Sequence, residues 1–368
     1  MIYLDYSATT PVDERVLQMF VEDNKHFFAN SNSVHYLGRE VKDKIDKSTF
    51  DIINLFGLSG FDLVYTSGAS ESNNLAIKGV ALDSLKKKII TSNFEHSSVI
   101  SCLSYLAKKG YEIEVVDNDE FGLVDLVDLE NKLDESTCLV TIGAVNSETG
   151  IVQDIKRISE VIKSHSGVLF HSDMTQAIGK VEVDLKNCDL ISFSAHKFYG
   201  LKGVGGLFVR KGISLTPIIH GGRSLSKYRS GTPANPLIFS VLNALKFTVN
   251  ELKERLKCVN EIHDYLLSRL SGLEDVVMNS NEYSCPQIVN VSFLKISSRN
   301  LQQELSKRGI YLSTTTACAS GNEQSLIVAK LTNSEERAKS AVRISLSHLT
   351  TKEEIDQLIE AYLEIVKL

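Results

Sequence analysis

The sequence predicts an α/β fold: a large domain built on a mostly parallel sheet covered by helices, with a smaller α+β domain beside it. Three observations carry that expectation. At 368 residues the chain is too long for one small core. From about residue 60, apolar runs rich in β-branched residues alternate with amphipathic segments, as doubly covered parallel strands do. After "RSGTPANP" that alternation gives way to a different pattern.

Taken in order, "FDLVYTS" reads as a strand and "ASESNNLAIKGVALDSL" as a helix. "KKIITSN" is the next strand, followed by the helix "SVISCLSYLAKKG", which Gly110 stops. Then come "YEIEVV", "CLVTIGAVN", the helix "DIKRISEVIKSHSG" and the strands "VLFHSD" and "DLISFSAHK". A long helical stretch is expected from roughly 236 to 272, then "PQIVNVSFL", the helix "SRNLQQELSKRG", "IYLST" and "AVRISLS". A terminal helix puts Ile355, Leu358, Ile359, Tyr362, Leu363 and Val366 on one stripe, with Thr351 and Glu354 spaced as a capping box.

Composition narrows the function class. The chain is 43% hydrophobic and 23% charged, as ordinary soluble globular proteins are. A net charge of -6 gives no electrostatic case for nucleic acid, and the short "KKK" at 86–88 reads as a solvated helix end. No apolar stretch has the length of a membrane span, and "MIYLDYSATTP" lacks the basic and apolar regions of a secretory signal. The six cysteines, at 102, 138, 188, 258, 285 and 318, show neither CxxC pairs nor metal-like spacing. They read as free thiols of a reducing cytosol, five of them buried.

In open α/β sheets ligands bind beyond the carboxyl ends of the strands, so the residues just after each strand matter most. Gly68, Ala69 and Ser70 open a helix whose free N–H groups suit an anion, although alone such a start is more often only a cap. His96, Asn146 and Glu148 follow the next strands and are individually bland. Asp173 follows a buried strand, where an unpartnered carboxylate is costly, with Gln176 one turn on. Ser194, His196 and Lys197 end the last run, before the glycine-rich "LKGVGGLFV". A carboxylate, an anion cradle, an imidazole, an amide and a lysine at one sheet end suit pyridoxal 5'-phosphate (PLP). Its phosphate takes the helix N-terminus, its pyridine nitrogen the carboxylate, and its aldehyde the lysine as a Schiff base.

The order and spacing of "YLDYSATTPVDERV", "TSGASESNNLAIKG", "EHSSV", "VNSETGIVQDI", "HSDMTQAIGK", "SFSAHKFYGLKGVGGLFVR", "RSGT" and "VRISLS" resemble the cysteine desulfurases of the NifS/IscS type, within the class V aminotransferase family. The resemblance spans nearly the whole chain. It implies PLP-dependent transferase fold type I with a seven-stranded sheet. The large PLP-binding domain would cover 12–250, and the small domain 1–11 and 251–368. It further implies that Lys197 holds PLP, that Asp173 pairs the pyridine N–H, and that His96 stacks on the ring and handles protons. Gln176 and Asn146 would approach the 3-oxygen and the substrate. Ala69, Ser70, Ser194 and His196 would bind phosphate, joined by Thr232 of the neighbouring subunit in a homodimer, and Arg343 would clamp the substrate carboxylate. Cys318, in "STTTACASGNEQS", would be the thiolate that takes sulfur from L-cysteine and hands it on.

The chain departs from the family at a few places. Thr315 stands two residues before the Ala-Cys pair, where glycine is usual, and a β-branched residue stiffens that backbone. Ser31 replaces a proline, Ser70 a threonine and Ser147 an asparagine. The sequence shows no tail after the final helix of the kind many housekeeping members use to meet an iron–sulfur scaffold protein. The expected sulfur acceptor is therefore either such a scaffold or a tRNA-thiolation enzyme, in the cytoplasm. Two rivals stay open on the sequence. One is another fold-type I PLP enzyme, such as a selenocysteine lyase, a cysteine β-lyase or an aminotransferase; the other is a catalytically weak sulfur-relay scaffold.

Overall fold

The computed structural model describes residues 1–314, except Arg223, and 324–367. The chain begins with β1 (Ile2–Tyr3), α1 (Glu14–His26) and α2 (Tyr36–Leu55). Alternation follows: β2 (Phe61–Thr66), α3 (Ala69–Asp83), β3 (Lys88–Ser92), α4 (Ser97–Ala107), β4 (Glu112–Val116), α5 (Leu126–Lys132), β5 (Thr137–Thr141), α6 (Ile155–Lys163) and β6 (Leu169–Asp173). Strands β7 (Leu190–Ser194) and β8 (Gly205–Arg210) complete this part, followed by α7 (Asn235–Asn250) and α8 (Leu252–Leu270). The remainder is β9 (Val276–Met278), β10 (Ile288–Phe293), α9 (Ser298–Lys307), β11 (Ile310–Tyr311), α10 (Leu326–Thr332), α11 (Glu335–Ser340), β12 (Ala341–Ser345) and α12 (Lys352–Ile365).

Seven strands form one sheet in the order β2-β8-β7-β6-β5-β3-β4. All run parallel except β8, which pairs antiparallel with both β7 and β2. Successive side chains of a strand point to opposite faces, and here both faces are apolar. Ile90, Val140, Phe170, Ile191, Phe193 and Phe208 feed one core. Ile89, Leu139, Leu190, Leu207 and Val209 feed the other, with Leu75, Ile77 and Leu103 from the covering helices. A third core joins Ile2 and Leu4 to Ile262, Leu266, Val289, Val291, Phe293, Ile344, Ile355 and Tyr362. It lies around the antiparallel sheet β12-β10-β9 and the parallel pair β1-β11. Burying each such side chain stabilises the fold by about 1.5–3 kcal/mol.

Local chemistry sets most boundaries. The capping box of α12 forms, with the Thr351 side chain accepting from Glu354 N and the Glu354 carboxylate from Thr351 N. Gly110 ends α4 at φ +86°, a conformation glycine reaches without strain. Four expectations are corrected. The single helix from 236 to 272 is two, because Glu251 at φ −97° and ψ 6° leaves helical geometry between them. Leu363 is exposed, and Ala361 and Ile365 complete the buried stripe of α12. Lys88 is not a solvated helix end: it opens β3, is buried, and its ammonium donates to Asp134 Oδ2 at 2.7 Å. Among the five described cysteines, Cys258 is exposed and the other four are buried.

Candidate active site

The parallel strands end at one edge of the sheet, and the turns beyond them enclose a cavity of about 490 Å3. At its anion-attracting end sits the start of α3. Gly68 adopts φ +153° and ψ −176°, a region essentially reserved for glycine, so the chain turns abruptly from β2 into the helix. Among the described residues no side chain caps this end. The first-turn N–H groups at Ala69, Ser70 and Glu71 therefore keep their affinity for an anion. Close packing fixes the place: a Cβ on Gly205 would lie 2.4 Å from Phe193 O and 2.8 Å from Gly68 Cα. Ser194 and Lys202 also line this end of the cavity. His196 stands here too, its Nδ1 3.1 Å from Thr9 Oγ1. Burial, then the Lys197, Lys180 and Lys202 charges, pushes its pKa down to about 4.

Asp173 ends β6 at the middle of the same edge. Its carboxylate accepts from Asn73 Nδ2 at 2.7 Å and from Thr175 N at 3.0 Å. Asn73, fully buried on α3, also donates to Ser98 Oγ at 2.9 Å. Ser98 in turn stands 2.8 Å from His96 Nδ1, which accepts its backbone N–H at 3.1 Å. An Nδ1 that accepts an N–H places the imidazole proton on Nε2 in the neutral ring. Burial holds the His96 pKa below the ordinary imidazole value, against the opposing pull of Asp173. Glu95 lies alongside, its two oxygens accepting from Gly143 N and one from Ser92 Oγ at 2.6 Å. Burial pushes its pKa up to about 7, with Asp173 adding to the rise.

Lys197 closes a single 3-10 turn, Ala195–Lys197. Its ammonium donates to Ser7 O at 2.5 Å and Ala8 O at 2.8 Å. The backbone around it is over-determined. Tyr199 holds φ +65°, rare for a residue with a side chain, while its N–H donates to Thr10 Oγ1 at 2.8 Å and its hydroxyl meets Ser347 Oγ at 2.7 Å. Arg343, on β12, is 2% exposed. Its Nη1 donates to Ser147 O at 2.8 Å and its Nη2 to Asp5 Oδ1 at 2.7 Å, while Nε has no partner among the described residues. A buried guanidinium edge with a spare donor suits a carboxylate.

Ala69, Ser70, His96, Asp173, Gln176, Ser194, His196, Lys197 and Arg343 thus meet at one cavity. Asn146 does not line it. Its Oδ1 accepts from Glu148 N, Thr149 N and Thr149 Oγ1, and its Nδ2 donates to Phe94 O, so the amide holds the turn after β5. Thr232 lines a separate cavity of about 150 Å3, which shares Ser67 and Gly203 with the first. Cys318 and Thr315 lie outside the described residues. Sequence reasoning missed Ser7, Asn73, Glu95 and Asp5, because each acts through a partner far away in the chain. Only Asn73 left a signal, as a polar residue within the helical run "ESNNLAIKGVAL".

The donor set fits PLP, on the uncapped helix start, the carboxylate held by Asn73, and a lysine within the same cavity. Comparison with known proteins agrees. The model of the class-V aminotransferases matches residues 2–358, and the chain belongs to that PLP-dependent family. More narrowly, it is similar to its cysteine desulfurases. A cysteine desulfurase of Dictyoglomus turgidum is 34% identical over 373 residues, covering 100% of this chain and 94% of that one. A solved NifS-like protein superposes with TM-score 0.93 at 35% identity, covering 100% of this chain and 99% of that one. A structure described as SspA in complex with cysteine superposes at 0.83 with 30% identity, covering 95% and 100% of the two chains.

Proposed function

We propose that this chain is a PLP-dependent cysteine desulfurase, converting L-cysteine to L-alanine and taking the sulfur onto Cys318. The observation that carries it is a single cavity that joins Lys197, Asp173, His96, the start of α3 and Arg343. PLP, held at Lys197, supplies an electron sink for charge developing on the substrate's carbons. Asp173, kept as an acceptor by Asn73 and Thr175, would hold a proton on the pyridine nitrogen. Ala69, Ser70, Ser194 and His196 would take the phosphate. Arg343 would bind the substrate carboxylate and fix which bonds face Lys197. The Lys197 amine would move the proton at the substrate's α-carbon, with His96 assisting.

Sulfur transfer falls to Cys318. Its thiolate would attack the substrate sulfur: an S–S bond forms, the substrate's C–S bond breaks, and the electron pair stays on carbon. Protonation of that carbon completes alanine, leaving a persulfide on Cys318. Thr232 would reach the phosphate of a neighbouring subunit in a homodimer. The exposed Phe28, Val34, Tyr36 and Phe50 on and beside α1 and α2 support such a pairing. The division into 12–250 and 1–11 with 251–368 is supported by the separate core that holds Ile2 and Leu4. A sulfur acceptor in iron–sulfur assembly or tRNA thiolation, in the cytoplasm, completes the reading. No helix among the described residues is long and apolar enough to cross a membrane.

The test is L-cysteine given anaerobically without reductant to the holoenzyme. The expected result is one alanine per site and one added sulfur on the Cys318 peptide, both lost in Cys318→Ala. Pyruvate and sulfide with Cys318 unmodified would point instead to a β-lyase.

A further inference from the structure

Behind the cavity lies a buried lysine that the proposed chemistry leaves unused. Lys180 is 8% exposed, and its ammonium donates to Gln176 Oε1, four residues earlier. The other end of that amide is also held: Gln176 Nε2 donates to Ser7 O at 2.9 Å. Ser7 O in turn accepts from Lys197 Nζ at 2.5 Å. A continuous path therefore runs from Lys180 through Gln176 and Ser7 O to Lys197.

The path fixes which way Gln176 faces. An ammonium has only donors and a carbonyl oxygen only lone pairs. Turning the amide over would set N–H against Lys180 Nζ and oxygen against Ser7 O, two repulsions where there were two bonds. Nε2 carries a second N–H beyond the one given to Ser7 O, and Gln176 lines the cavity. A buried ammonium held among the described residues by one neutral carbonyl is expensive, so the chain keeps this one against its stability. Burial first, then the Lys197 charge, with Arg343 acting in the same direction and Cys285 against it, pushes the Lys180 pKa down to about 7, so the lock is set on the acid side of neutrality and loosens as pH rises past it.

We infer that Lys180 is a positioning residue for the cofactor: it locks the Gln176 amide with its NH2 end available to the ring oxygen of PLP, and adds positive charge behind that oxygen. This rests on the assignment of Gln176 to the ring oxygen. Both effects favour the deprotonated form of the lysine-bound chromophore, so removing Lys180 raises the pKa read from its visible absorbance.

The experiment titrates the resting holoenzyme, without substrate, by absorbance against pH. Lys180→Met should raise the chromophore pKa by about one unit. It should leave the melting temperature unchanged or higher, because an unsolvated charge is gone. Lys180→Gln, which keeps a donor without the charge, should give a smaller rise. In a Gln176→Leu background, Lys180→Met should shift the pKa much less than it does alone. Equal shifts with and without Gln176, or equal shifts from the Met and Gln variants, would overturn the locking role. A shift from Gln176→Leu with none from Lys180→Met would overturn the inference while leaving Gln176 in place. No shift from Gln176→Leu would overturn the assignment of Gln176, and the inference with it.

Discussion

His96 shows how a side chain acquires a function that its residue type alone does not give it. As the N-cap of α4 it accepts Ser98 N at 3.1 Å through Nδ1. The same bond that starts the helix therefore leaves the proton on Nε2. Burial keeps the ring neutral below the pH at which a free imidazole would charge. A lowered pKa means that the neutral ring persists as pH falls through 6.5, and is lost only further down. The part of the acid limb of kcat/KM that disappears in His96→Gln should thus have its midpoint below 6.5. A midpoint at or above 6.5 would mean that Asp173 governs the ring rather than burial. The variant itself should lose on the order of 100-fold in kcat, the usual worth of a proton-transferring side chain. His96 was legible in the sequence as a polar residue after a strand. The tautomer was not, because it depends on a backbone N–H that only the folded turn presents.

At the scale of elements, the sequence showed most strands and the helices α3, α4, α6, α9 and α12, because the period of their apolar residues changes when the element changes, but it did not show α1, α2 or β8. It misread the junction at Glu251, where two good helix-forming runs abut and only the backbone angles separate them. It also missed how closely β8 approaches α3. "GVGGLFV" announced glycine-rich backbone but not its neighbours. The structure shows Gly205 against Phe193 O and Gly68 Cα, with no room for a Cβ at 2.4 and 2.8 Å. Gly205→Ala must push β8 from β7 or shift the start of α3, and overpacking of this kind costs about 1–3 kcal/mol. Since α3 carries the uncapped N–H groups, the damage should fall on cofactor retention more than on the fold. Dialysis of the holoenzyme should release PLP faster from Gly205→Ala than from Gly206→Ala, whose Cβ would meet the Phe193 ring and Leu63 instead. Equal retention in the two variants would detach the phosphate site from this contact.

Across the whole molecule, the site is held by contacts that no local pattern encodes. Asn73 meets Asp173, Asp5 meets Arg343, and Ser7 O meets Lys197, each pair far apart in the chain. The same folding that builds these contacts takes several titratable groups out of water at once, which gives the stability a predictable pH dependence. Burial is the first cause of the low pKa, about 4, of His171, His196 and His348. Between about 4 and 6.5 the unfolded chain binds protons at these positions and the folded chain does not, so stability falls as pH falls. Glu95 acts the other way: with its pKa raised to about 7, it stabilises at low pH and loses that contribution as pH rises from 4.5. Three imidazoles against one carboxyl leave the histidines ahead. His171, fully buried between Thr141 Oγ1 at 2.8 Å and Ser192 Oγ at 2.9 Å, contributes on the order of 3 kcal/mol across the window. The melting temperature of the cofactor-free chain should therefore rise from pH 4.5 to 6.5, and His348→Asn should flatten that rise. A melting temperature that is flat or falling over the same interval would mean that Glu95 outweighs the imidazoles, and that the interior around the site admits enough water to charge them.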